Sequence, residues 1–252
     1  MKYVYAGDRD ISVDILKFLI DKGYKPDALF VSAGDSASHA DELISLVSDF
    51  LSADRIFRGK DFTNSLDLLK VLTPDYIIGI HFPYIIRKEF LELPAVGFLN
   101  LHPAYLPYNK GWHTPSWALL ENTPYGATLH FMSEELDAGD IIHQKLIVPT
   151  PEDTANTLYK KVKRLEIDVF KEAFPELLTL APTRLKQSKG EGTSHNKNHL
   201  AKLQEEISHD VTFKDYVNLL RAFTTNNHRE AFYFVENGIK YHVQVTITPD
   251  NL

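Results

Sequence analysis

Cysteine is absent from this chain, which excludes disulfides, thiolate metal sites and a cysteine nucleophile. Long apolar runs are missing too. None approaches the roughly 20 residues needed to cross a bilayer, and the opening MKYVYAGDRD turns polar after six residues, too soon for the apolar stretch of a signal peptide. The protein therefore reads as cytoplasmic, with no membrane contact. Basic residues are in deficit, 27 against 34 acidic, for a net charge of −7. Broad nucleic-acid binding leaves the opposite footprint, although a local basic pocket for one phosphate stays compatible. Two motif absences narrow the chemistry. Gly7 stands alone, without the G-x-G-x-x-G that marks a dinucleotide-dependent oxidoreductase. There is no G-x-S-x-G elbow for a serine nucleophile. No internal repeat or low-complexity tract occurs.

What is present is ordinary for a globular protein: 44% hydrophobic and 24% charged residues in 252, enough for one large domain or a domain with an appendage. KYVYA (2–6), DALFVS (27–32), DYIIGI (75–80) and VGFLNL (96–101) are short, nearly uniform apolar runs. Between them apolar residues recur at helical spacing, as at Ile11, Ile15, Phe18 and Leu19, over about 39–50, and at Leu66 and Leu69 within 62–72. Such alternation predicts a Rossmann-like α/β fold, a mostly parallel sheet with helices on both faces. After Pro107 a helix is expected over 114–121, with Thr114 capping and Pro115 at the first position, then strands at 126–132 and 140–148 and a long helix from 154 to 180.

Residues 183–200 are polar and read as a loop or linker. The tail gives a helix at 213–223 and two strand-like runs joined by Asn237-Gly238, the strongest short-range hairpin signal. A lone hairpin is marginal in water, so Phe232, Phe234, Tyr241, Val243 and Val245 need a covering surface. The expected organisation is a body at 1–182 and a linker, helix and hairpin at 183–252, with the hairpin serving a homodimer.

FLNLHPAYLP (98–107) ends an apolar strand on two polar residues. Asn100 and His102, two apart, leave the same face of a strand, at the carboxyl end where open α/β sheets place ligands. Spacing alone also allows a polar strand end capping nearby backbone. HFMSEELDAGD (130–140) carries His130 at a strand end and Asp137 and Asp140 in a tight loop, where Asp and Gly are also common turn residues. Together, a carboxylate holding an imidazole beside a neutral amide is a general-base and oxyanion arrangement. With no cysteine and no serine elbow, direct attack by a substrate amine fits better than a covalent enzyme intermediate.

These stretches, with YNKG at 108–111, resemble the folate-dependent formyltransferases over roughly residues 1–180, and among them the nucleotide-sugar N-formyltransferases best. The resemblance implies that 10-formyltetrahydrofolate is the donor, a primary amine the acceptor, and no metal is used. Asn100, His102 and Asp137 become the catalytic set: His102 as general base or, once protonated, oxyanion stabiliser, Asn100 as hydrogen-bond donor, Asp137 as the support of His102. The pterin is expected among two loops, at Phe82, Tyr84, Ile85 and Ile86 and at Leu136 to Asp140. The acceptor is expected at Arg9 and Ile11 and at Tyr105, Tyr108, Asn109, Lys110, Gly111 and Trp112. Lys110 replaces the arginine most relatives carry, which trades bidentate geometry for a point charge.

The acceptor so implied is a dTDP-linked 4-amino-4,6-dideoxyhexose such as dTDP-4-amino-4,6-dideoxyglucose, formylated for surface polysaccharide (O-antigen). The 3-amino isomer, GDP-perosamine and UDP-4-amino-arabinose are alternatives. So are a formyltetrahydrofolate hydrolase, which attacks with water, and a non-catalytic nucleotide-sugar or folate-binding module.

Overall fold

The computed structural model describes residues 1–34, 37–188, 190–206 and 212–250. Of the expected linker, Lys189 lies outside the described residues. The first half alternates strand and helix: β1 (Tyr3–Gly7), α1 (Arg9–Asp21), β2 (Ala28–Val31), α2 (Ala40–Val47), β3 (Ile56–Arg58), α3 (Leu66–Leu72), β4 (Tyr76–Ile80), α4 (Lys88–Leu91) and β5 (Gly97–His102). Then come β6 (Lys110–Gly111), α5 (Thr114–Glu121), β7 (Tyr125–Phe131), β8 (Ile141–Ile147) and α6 (Ala155–Leu177). Last are β9 (Ser194–His195), α7 (His199–Glu206), α8 (Phe213–Phe223), β10 (Phe232–Glu236) and β11 (Ile239–Val243).

Seven strands form one sheet in the order β3-β2-β1-β4-β5-β7-β8. Pairings from β3 through β5 are parallel, and β7 runs antiparallel to β5. Every residue of β1, β2 and β4 is buried, as two-sided coverage of a parallel sheet demands. The period of two sorts the faces. Val4, Ala6, Phe30 and Ile77 join Phe62, Leu69 and Phe90 in one cluster. From the other face Tyr3, Tyr5 and Tyr76 donate hydroxyl hydrogen bonds to the carbonyls of Tyr24, Ser12 and Leu177, so the buried phenols are satisfied rather than stranded.

The sequence reading missed β3, α4, β6, β9 and α7, and merged two segments at 62–72. Gly59–Asn64 is a 3-10 turn, and α3 begins only after Ser65. The Ser65 hydroxyl donates to the Phe62 carbonyl at 2.6 Å, a local bond of the kind that competes with helix continuation.

The chain divides into two compact units. The first is Met1–His102, Thr128–Gln144 and Glu166–Gln187; the second is Pro103–Ala127, Lys145–Leu165 and Ser188–Leu252. In the second unit Trp117, Leu200, Ala222 and Phe223 make a small core, and β9 pairs in parallel with β6. Arg221 donates to the carbonyls of Asp153 and Thr150 at 2.7 and 2.8 Å. The hairpin forms with Glu236 opposite Ile239. Both turn residues are left-handed, Asn237 at φ 51° and Gly238 at φ 76°, as a two-residue hairpin requires. Phe234, Val235, Ile239 and Tyr241 of the hairpin are exposed.

In the first unit, β1 lies between β2 and β4, so the connections leaving β1 and β4 diverge and open a crevice at their carboxyl ends. At the end of β4, His81 adopts φ 53° and its Nε2 lies 2.8 Å from Oε1 of the fully buried Glu166. Burial pushes this imidazole down, but the charge and hydrogen bond of Glu166 outweigh it and raise its pKa, with Arg9 opposing and Asp10 assisting. A raised folded-state pKa contributes stability that is complete below the unfolded value of about 6.5. That contribution is lost as pH rises through the folded value. Urea unfolding of the wild type from pH 6 to 9 should therefore show falling stability, and His81→Gln should remove that component. An unchanged slope in the variant would refute the assignment.

Candidate active site

The site is built on the last strand of the parallel series and its antiparallel neighbour. Asn100 pairs across the ladder with His130, and His102 with Thr128. Directly opposite residues hold their side chains together on one face, so His130 is brought to Asn100 by register alone. Its Nδ1 is 2.8 Å from the Phe131 carbonyl, and its Nε2 is 3.2 Å from Nδ2 of Asn100. A carbonyl only accepts, so Nδ1 carries the proton. Nε2 then presents its lone pair, and the Asn100 amide turns its NH2 inward. One N–H of that amide is used on His130; the second remains a directed donor.

His102 and His130 are both nearly fully buried, with ring centroids 6.3 Å apart and planes at 86°. Between them lies Asp137, its Oδ2 3.5 Å from His102 Nε2 and its Oδ1 3.8 Å from His130 Nε2. The structure thus brings the three expected catalytic residues together and adds His130, which sequence reading had noted only as a strand end. The signal available was the pair of motifs N-x-H and H-F, whose alignment depends on an antiparallel register that no spacing rule supplies.

Asp137 reaches this position from a strained loop. Its φ is 48°, a region few non-glycine residues enter. Two residues on, a Cβ at Gly139 would fall 1.8 Å from the Phe131 carbonyl oxygen, so only glycine lets the loop fold back on the strand. Asp140 closes the loop through its backbone, its carbonyl accepting from Phe131 N–H at 2.9 Å.

The residues expected around the pterin divide. Phe82, Tyr84 and Ile86 pack against the Phe62 and Phe90 cluster, and the Tyr84 hydroxyl accepts from Ala33 N–H at 3.1 Å. Ile85 is 91% exposed and Leu136 60%, which makes them the apolar side chains these two loops offer outward.

Of the residues expected at the acceptor, two lie in the first unit. Arg9 opens α1 at φ 70° with Nε 3.6 Å from Oδ2 of Asp8. Burial pushes the Asp8 carboxyl up, but hydrogen bonds, among them those from the backbone N–H groups of Ser38 and His39 to its Oδ1, outweigh it and hold its pKa below the usual range. Ile11 is buried, so its side chain belongs to the core and only backbone there can meet a ligand.

The rest lie in the second unit. Asn109 is 1% exposed. Its Nδ2 donates to Thr123 Oγ1 and the Pro124 carbonyl at 3.0 and 3.2 Å, and its Oδ1 accepts from the Thr123 hydroxyl. These bonds make its side chain part of the loop's own structure. Lys110 N–H donates to the Thr193 carbonyl and Trp112 N–H to that of His195, both at 2.9 Å. Tyr105, Tyr108, Lys110 and Gly111 are half-buried, and Trp112 is 53% exposed with Lys197 Nζ 5.5 Å from its ring centre.

Among the described residues no cluster of three His, Cys, Asp or Glu has metal-binding geometry, and no helix is long and apolar enough to cross a membrane.

An open α/β sheet with an imidazole, a carboxylate and an amide near its carboxyl edge offers groups suited to general-base and oxyanion chemistry. The chain belongs to the formyl transferase family, which it matches over residues 46–174, and residues 202–249 match the N-formyltransferase dimerization C-terminal domain. It is similar to the methionyl-tRNA formyltransferase of Geobacillus sp. (strain WCH70), 29% identical over 88% of this chain and 71% of that protein. It is similar also to the dTDP-4-amino-4,6-dideoxyglucose formyltransferase of Mycobacterium tuberculosis (strain ATCC 25618 / H37Rv), 27% identical over 63% and 68%. In fold it matches the N-formyltransferase from Helicobacter canadensis in complex with folinic acid and dTDP-3-aminofucose, with a TM-score of 0.72, 20% identity, and coverage of 95% and 86%.

Two substitutions test the geometry. His130→Phe fills the same space but frees the Asn100 amide to rotate, and should lower kcat about 10- to 100-fold while the protein stays folded. Gly139→Ala must push the loop off Phe131 and should cost roughly 1–3 kcal/mol by urea unfolding. Wild-type behaviour in either variant would contradict the contacts described.

Proposed function

We propose that this protein transfers the formyl group of 10-formyltetrahydrofolate to the amino group of a nucleotide-linked amino sugar, with dTDP-4-amino-4,6-dideoxyglucose the favoured acceptor. The observation that carries the reading is the meeting of Asn100, His102 and Asp137 at the carboxyl edge of the sheet, with Asp137 Oδ2 3.5 Å from His102 Nε2. Family membership supports formyl transfer. The names of the mycobacterial relative and of the Helicobacter canadensis complex support a dTDP-amino sugar and a reduced folate. A net charge of −7 weighs against tRNA as the acceptor, since tRNA binding favours a basic surface. In this reading the reaction is cytoplasmic and its product enters surface polysaccharide.

The chemistry follows from the groups present. The amine lone pair attacks the formyl carbon, and the carbonyl π electrons move to oxygen. The second N–H of Asn100 donates to that developing oxyanion, a contact typically worth about 2.7–4 kcal/mol of barrier. His102 accepts the proton released by the amine, and Asp137 stabilises the resulting imidazolium. Collapse of the tetrahedral centre breaks the bond to N10 of the folate, which takes the proton from His102. The products are the formamido sugar and tetrahydrofolate.

Incubation with 10-formyltetrahydrofolate and a panel of dTDP-, GDP- and UDP-linked amino sugars should release tetrahydrofolate and raise the mass of one sugar by a formyl group. Folate release without an acceptor would instead identify a hydrolase. His102→Asn should abolish turnover, and near-normal rates in that variant would overturn the mechanism. The exposed Phe234, Val235, Ile239 and Tyr241, within the segment that matches a dimerisation domain, support a homodimer through the hairpin. Sedimentation should give a dimer for the wild type and a shift toward monomer for Phe234→Glu.

A further inference from the structure

Residues 184–187, read from the sequence as the start of a linker, tie themselves to the loop that carries Asp137. Arg184 donates to the Val96 carbonyl at 2.6 Å and lies over the Phe131 ring, its guanidinium carbon 3.6 Å from the ring centre. Leu185 exchanges both backbone hydrogen bonds with Ile141, at 2.8 and 2.9 Å. Gln187 Nε2 then donates to two carbonyls at once, those of Asp137 at 2.9 Å and Gly139 at 2.8 Å. Two acceptors facing one amide end fix its orientation, because only the NH2 has protons to give.

We infer that Gln187 is a positioning residue for formyl transfer, holding the left-handed Asp137 backbone so that its carboxylate stays between His102 and His130. Gln187 touches no reacting atom; it acts through Asp137. The carboxylate hangs from a backbone that φ 48° alone would not favour, so the two carbonyl bonds supply what the local conformation lacks. The inference rests on the formyl-transfer reading above, and its test separates the two.

Gln187→Met keeps the length and volume and removes both donors; Gln187→Lys restores donors without the amide. With the acceptor found by the panel, Gln187→Met should lower kcat about 10- to 100-fold while KM for the sugar stays within about twofold. Gln187→Lys should recover most of the loss. In an Asp137→Ala background, Gln187→Met should cost nothing further, because its route of action is already gone. Amide hydrogen exchange in the 137–141 segment should accelerate in Gln187→Met, whether or not an acceptor is found. A wild type inactive toward every acceptor sinks the functional reading while the exchange result still decides the clamp. An active wild type with full kcat in Gln187→Met, a loss additive with Asp137→Ala, or unchanged exchange overturns the inference.

Discussion

The antiparallel pairing of β7 with β5 is the constraint on which the site depends. It ends the parallel series and sets His130 against Asn100 with no side-chain choice involved. It also places the exit of β7 beside the strand whose carboxyl end bears His102. The loop that follows has only to fold back once, over Gly139, for its carboxylate to arrive. A one-residue slip of that register would turn His130 to the opposite face and leave Asn100 without the acceptor that orients it.

The two imidazoles, a few ångströms apart, both lie near Asp137 but differ in their other partners. His130 is locked as one neutral tautomer by a backbone carbonyl on one nitrogen and an amide N–H on the other. His102 faces a carboxylate, so a proton it gains is compensated in place. The same logic at larger scale explains His81, whose buried carboxylate partner favours the charged form.

Much of this was legible in the sequence. Uniform apolar runs gave the buried strands of the parallel sheet, because two-sided burial leaves no polar alternation. Asn237-Gly238 gave the hairpin turn, because few other pairs accept two left-handed residues. N-x-H and the Asp137 loop pointed to Asn100, His102 and Asp137, which the fold brings together. What escaped is non-local. Gln187 and Arg184 sit in a polar stretch that looks like linker until its partners, some fifty and ninety residues earlier, are known. Asn109, expected at the acceptor, also makes hydrogen bonds to Thr123, Pro124 and Thr193 that nothing in its local sequence announces. Polar composition reports that hydrogen bonds will be made, not with whom.

That last residue decides how freely its neighbours can change. Asn109, left-handed and internally saturated, sets the path of the chain, while Tyr108, Lys110 and Trp112 on either side carry little of the loop's own structure in their side chains. The path of the chain and its exposed surface are set by different residues. The lysine at 110 can therefore exchange with arginine, or Trp112 with another ring, without refolding the segment. Single substitutions there alter the exposed surface of the segment around a fixed asparagine.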